Sequence, residues 1–225
     1  MTVSLILLAV IMFVVIGWLL RQTLNTQPWI PRSTDNAVSG TSIDTPAKTF
    51  ALVSFLAVVT SLFALFISAY AMRMHMGDWR PVSEPRLLWV NSAFLVLASV
   101  VYEWTRRAAG KGQAARLKAA RLKRGLTIAG LLTFLFLGGQ LIAWVQLNAT
   151  GHYLTSNPAS AFFYVLTAVH GLHLLGGLWV WARSTSRVFS GAEADTVRVS
   201  IELCAVYWHY LLLVWAVLFG LLLTT

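Results

Sequence analysis

AFFYVLTAVHGLHLLGGLWVWAR, residues 161–183, is apolar enough to cross a bilayer and carries two histidines near its middle. Crossing takes about 20 mainly apolar residues at a rise of 1.5 Å each. An imidazole at that depth is costly unless another helix satisfies it. His170 and His173 are three apart and share a helix face. At about 100° per residue, Phe163, Thr167, His170, His173 and Gly177 form one stripe of polar and small groups, which predicts that this face meets protein rather than lipid.

The rest of the chain has the same character. Its 225 residues are 58% hydrophobic and 11% charged, with ten Trp and twelve Phe, a composition that excludes a soluble globular domain. The net charge of +9 would suggest nucleic acid in a soluble protein. Here the basic residues sit at the ends of apolar segments, so a membrane protein without a nucleic-acid partner is the reading. Cys204 is the single cysteine, so neither a disulfide framework nor a cysteine-rich metal site can be built.

Six apolar segments predict an all-α, polytopic bundle of six transmembrane helices: residues 3–20, 49–72, 86–104, 126–147, 161–182 and 200–223. There is no internal repeat. Fourteen of the 17 Lys and Arg fall in the first, third and fifth loops, the densest being residues 106–124. The positive-inside rule makes those loops cytoplasmic and puts both termini outside. No charged side chain precedes the first segment and Arg21 follows it, which predicts an uncleaved anchor over residues 1–21 rather than a signal peptide. Residues 22–48 read as a polar linker and 49–225 as a five-helix domain. The basic stretch 106–124 reads either as a short interfacial helix or as a solvated loop that sets topology.

Several polar residues inside or beside the spans are candidates for a site. The fifth and sixth spans are joined by a short loop and predict an antiparallel pair that brings His209 to the depth of His170 and His173. Glu202, seven residues before His209, shares its face; Glu103 reaches the same cytoplasmic boundary. Gln140 and Trp144 form an i, i+4 pair in the fourth span. Two chemistries compete for the histidines: ligation of a haem or metal between helices, or hydrogen bonding that fixes packing. Proton transfer is a third, but it needs a chain of titratable groups that the second span lacks at its centre.

Four motifs in order carry a family resemblance. Trp89-Val90-Asn91-Ser92 resembles a W-x-N-T start, and Gly139-Gln140 with Trp144 a G-Q-x-x-x-W. The run from Phe162 through His170-Gly171-Leu172-His173 to Gly176-Gly177, and Glu202 with Tyr207-Trp208-His209 and Trp215 as an E-x-x-x-x-Y-W-H, complete the set. Over residues 50–223 the chain resembles subunit III of haem-copper terminal oxidases, in the short bacterial form with an extra N-terminal helix.

The resemblance implies a non-catalytic subunit of an aerobic respiratory oxidase, in the bacterial plasma membrane, beside catalytic subunit I, subunit II and small subunits. Haem and copper are then held by partner subunits and no cofactor by this chain; bound phospholipid is expected. His170, His173, Glu202, Trp208, His209, Gln140, Trp144 and Glu103 become structural or lipid-contacting residues, and the subunit supports assembly, stability and proton uptake.

Three departures accompany it. The pair of helices that encloses a lipid cleft in longer members is missing. A carboxylate common in the second span is replaced near Val59. Segment 3–20 has no counterpart in the short form and could be a fused accessory subunit. The accessory subunit of nitric oxide reductase shares the signature, and a haem-binding electron carrier or a transporter is the alternative of a different class.

Overall fold

The computed structural model describes residues 17, 44–80, 86–108, 115–191 and 194–223. These form five long helices: α1 (Asp44–Arg73), α2 (Leu87–Ala108), α3 (Ala115–Ala149), α4 (Pro158–Phe189) and α5 (Ala194–Leu223). Each contains a segment long and apolar enough to cross a membrane. Five of the six expected spans are therefore observed, and the expected span 3–20 lies outside the described residues. Segments 86–104, 126–147, 161–182 and 200–223 all prove longer than their apolar cores. Helical hydrogen bonding continues into the polar ends, where hydropathy gives no signal.

Two corrections follow from those extensions. The final residues of the expected linker 22–48 belong to α1, which begins at Asp44. The basic stretch up to Arg124 is neither a loop nor a separate interfacial helix from Ala115 onward. It is the first turns of α3, whose 35 residues make a rod of about 52 Å, well beyond a hydrocarbon core of about 30 Å.

The chain divides into two units between Met72 and Arg73. In the first, α1 buries Leu56, Val59, Phe63 and Tyr70 along one stripe and exposes Phe50, Val58 and Leu65.

In the second unit, α2 packs on α3 and α5, α4 packs on α3 and α5, and α3 touches α5 across the middle. Side-chain contacts give the register. Ser92 meets Trp215 and Ser99 meets His209, so α2 and α5 are antiparallel; Trp144 meets Thr167 and Trp181 meets Leu126, so α3 and α4 are too. α5 buries the largest share of its span and supplies the two largest fully buried side chains, Trp208 and Trp215.

The connections are built by local rules. Asn157 caps α4, its Oδ1 accepting from Ala159 N at 3.0 Å, with Pro158 at the first helical position. Gly151 and Gly191 follow α3 and α4 at φ 83°, a left-handed conformation that glycine adopts without a Cβ penalty and that closes helix ends.

Candidate functional site

The polar residues of the motifs lie at the contacts between helices. In hydrocarbon an indole N–H without an acceptor is costly, and here four of them tie helices together. Trp208 Nε1 donates to Thr133 Oγ1 at 3.0 Å, joining α5 to α3. Trp215 Nε1 donates to Ser92 Oγ at 2.9 Å, joining α5 to α2. Trp144 Nε1 donates to Thr167 Oγ1 at 3.0 Å, and Trp181 Nε1 to Leu126 O at 2.9 Å, both joining α3 to α4. The acceptor hydroxyls of Ser92, Thr133 and Thr167 each also donate to a carbonyl within their own helix, so donor and acceptor capacities are both used.

His170 is fully buried and lies against aromatic rings, 5.9 Å from Phe136 and 5.2 Å from Trp215 between centroids. His173 engages the Val169 carbonyl through Nδ1 at 2.7 Å, and its own carbonyl accepts from Tyr207 Oη at 2.9 Å. The stripe expected to face protein does so over Phe163, Thr167, His170 and Gly177, all buried. At Gly177 the contact of α4 with α5 leaves no room for a side chain: a Cβ there would stand 2.6 Å from Tyr207 Cε1 and 3.1 Å from Trp208 Cη2. Gly139 plays the same part between α3 and α2, where the fully buried Asn91 carboxamide occupies the space a Cβ would need.

His209 does not share the depth of His170. Its imidazole faces α2, with Nδ1 on Ser99 Oγ and Nε2 at 3.5 Å from Glu103 Oε2. His170 lies level with Trp215, six residues further along α5 and about 9 Å away along the axis. The carboxylate at His209 is thus Glu103, not Glu202. Glu103 also holds Arg106 and Arg107, each at 2.8 Å, while Glu202 pairs with Arg198 at 2.7 Å. Glu202 and His209 are two turns apart on α5, and a neighbour on α2 lies nearer to His209 than that. Glu103 is about one-quarter exposed, so the cluster belongs to the membrane boundary, where screening keeps each pair worth about 1 kcal/mol or less. Glu103→Gln weakens three such pairs and is accordingly expected to lower denaturant stability by about 3 kcal/mol at most, and a larger effect would show the cluster to be a structural keystone.

Gln140 is buried beside Trp144 on α3, and its carboxamide, like that of Asn91, has no hydrogen-bond partner among the described residues. Ser99 and Thr133 carry no signal in the sequence, because small hydroxyl residues in apolar helices give none until their partners are known; Ser92 enters there only as part of a motif, without its partner Trp215.

His170 and His209 do not face one another as a pair of ligands. His170 and His209 point to different neighbours at different depths, and the rings of Phe136 and Trp215 occupy the sides of His170. Among the described residues no group of three or more His, Cys, Asp or Glu is placed to hold a metal ion. What the geometry provides is a set of interhelical ties.

Comparison with known proteins gives these ties a family. The profile described as Cytochrome c oxidase subunit III matches residues 1–223. The chain belongs to that family. Cytochrome c oxidase subunit 3 of Synechocystis sp. is 32% identical over 180 residues, covering 76% of this chain and 73% of that one. The probable cytochrome c oxidase subunit 3 of Mycobacterium leprae is 31% identical, covering 75% and 81%, and the subunit 3 of Thermostichus vulcanus is 27% identical, covering 78% and 86%.

The chain is thus an accessory subunit III of a bacterial haem-copper oxidase, not itself catalytic, and the nitric oxide reductase, electron-carrier and transporter readings are not favoured. The motifs placed the resemblance only from residue 50, whereas the family match begins at residue 1. Segment 3–20 thus lies within the matched range.

Proposed function

We propose that this subunit works as a helical scaffold beside catalytic subunit I, with subunit II and small subunits in the same complex, and that haem and copper reside in those partners. The observation that supports this is the use of the motif side chains: Trp208, Trp215, Tyr207, Trp144 and His209 all make contacts between helices. In this reading the subunit maintains assembly and stability of subunit I and thereby its proton uptake. The electron donor to the complex is cytochrome c or a quinol.

The fold in the membrane is six spans, with an anchor over 1–21, a polar linker and the family domain beyond it. The complex sits in the bacterial plasma membrane with both termini outside. The antiparallel register supports this sidedness: the end of α2 with Arg106 and Arg107, the start of α3 and the end of α4 with Arg183 and Arg187 share one side, as the positive-inside rule requires. Exposed apolar stripes, such as Leu172, Leu175 and Trp179 on α4, are the phospholipid contacts.

The experiment is affinity purification of the tagged full chain. It should bring down a haem-copper catalytic subunit, and recovery without one would sink the proposal. His170→Ala and His173→Ala should lower the yield of the assembled complex while leaving the haem spectrum of what remains unchanged. A spectral change in either variant would reopen ligation.

Sidedness has its own test. Cys204 is buried, so the native chain offers a quiet background for thiol labelling. A cysteine at exposed Tyr153 should react with a membrane-impermeant maleimide from outside intact spheroplasts, and one at exposed Ser190 only after permeabilisation. The reverse pattern would invert the topology.

A further inference from the structure

Three of the chain's five methionines fall within five residues, Met72, Met74 and Met76, with His75 among them. None of the family motifs includes this stretch. Met74, His75 and Met76 lie in the loop between α1 and α2, after the last residue of α1, Arg73. Met76 is 56% exposed, His75 is exposed as well, and Met74 is half-buried. A methionine ordinarily fills core gaps with its flexible thioether; here a large part of the Met76 side chain meets no protein.

The loop that carries them is held at both ends. Arg73 pairs with Asp78 across it, and the Arg73 guanidinium holds the Asp78 carboxyl below the usual carboxylate range. Met76 N donates to Arg73 O, and Trp79 N to Met76 O, each at 3.1 Å. Trp79 lies 6.2 Å from the Phe162 ring. Arg80 is clamped by Asn157, whose carboxamide accepts from Arg80 N at 3.4 Å and donates to Arg80 O. Residues 74–76 are thus presented on a short braced turn, and the adjacent cation Arg73 is neutralised by Asp78.

Two thioethers and an imidazole are soft and borderline donors without charge. Such a set favours Cu(I) over Zn(II), Mg(II) or Ca(II), because thioether sulfur binds soft monovalent copper and contributes little to harder ions. We infer that Met74, His75 and Met76 form a Cu(I)-binding site on the loop between α1 and α2, with the two sulfurs and the imidazole as ligands. Binding is simple coordination: no electron is transferred and no bond in the protein breaks. The competing role, a pair of apolar side chains lying against lipid, is preserved by leucine, which matches methionine in size and lacks only the sulfur donor.

The test uses the intact complex carrying the full chain, titrated with Cu(I) under ascorbate in the presence of a colorimetric Cu(I) chelator. The wild-type complex should retain about one copper more than the Met74→Leu/Met76→Leu complex, and His75→Ala should weaken retention by about tenfold or more. X-ray absorption at the copper edge should show sulfur neighbours for that extra ion only. Zn(II) uptake should be the same in both complexes. Equal Cu(I) retention in wild type and the double leucine variant would overturn the site. So would an extra copper that survives the leucine changes and disappears in Cys204→Ser, which would assign it to the buried thiol. Because both leucines stand in for partly exposed side chains, the complexes should assemble equally, and the yield of each verifies that.

Discussion

Trp208→Ala is expected to lower the stability of the subunit by about 3–5 kcal/mol and to abolish recovery of an assembled complex. Trp208 is fully buried at the centre of the four-helix unit. Its ring lies 4.4 Å from that of Tyr102 on α2, its edge lies against Gly177 on α4, and its Nε1 donates to Thr133 on α3. Removing it leaves a void touched by all three neighbouring helices. Within a bilayer the lost quantity is dispersion contact and one hydrogen bond rather than burial from water, since lipid tails are as apolar as the core. Trp208→Phe separates the two contributions. It keeps most of the ring contact, loses the indole N–H, and should cost about 1 kcal/mol. Unfolding of the purified chain in mixed micelles, followed by helical signal, measures both. Near-equal losses for Phe and Ala would mean that the hydrogen bond, not the packing, dominates.

The second large effect is expected at a pair of adjacent glycines, Gly176 and Gly177. Gly177→Ala should destabilise the subunit by about 1–3 kcal/mol and Gly177→Leu by more. A Cβ at that position would have to displace the Tyr207 ring, whose hydroxyl is committed to the His173 carbonyl, or the Trp208 indole, which is held by Thr133. Neither neighbour is the free end of a flexible chain. Gly176 is exposed, and nothing lies within 4 Å of a Cβ placed there. Gly176→Ala should therefore be neutral, or stabilising by up to about 1 kcal/mol, because alanine is the better helix former. A ranking in which the Gly176 variant is the worse would overturn the α4–α5 register described above.

The depth of the histidines shows where inference from sequence stops. Helical periodicity placed His170, Thr167 and Gly177 on the buried face of α4, and it was right because a single helix has one geometry. The pairing of His209 with Glu103 and Ser99 could not be derived that way. It depends on which residue of α2 lies beside residue 209 of α5, and that register is decided by packing around Gly177, Asn91 and Trp208 rather than by local pattern. The i, i+4 spacing of Gln140 and Trp144 says nothing of the carboxamide's partner, and among the described residues none supplies one. Helix ends were misjudged for a related reason: the polar turns beyond a span obey the same hydrogen-bonding geometry as the span, while hydropathy detects only the part in hydrocarbon.

By itself, the sequence determined the class of the protein, the position of five spans, the segregation of basic residues to one side, and membership of the subunit III family. Each of these follows from composition, period or ordered motifs along one chain. Only the tertiary structure decided that the tryptophans act as ties between helices, that Gly177 and Gly139 leave no room for a Cβ while Gly176 does, and that His170 and His209 lie at different depths. Those facts depend on the relative rotation and register of four helices, which short-range periodicity does not encode and which the interlocking of a few large side chains with a few missing ones does.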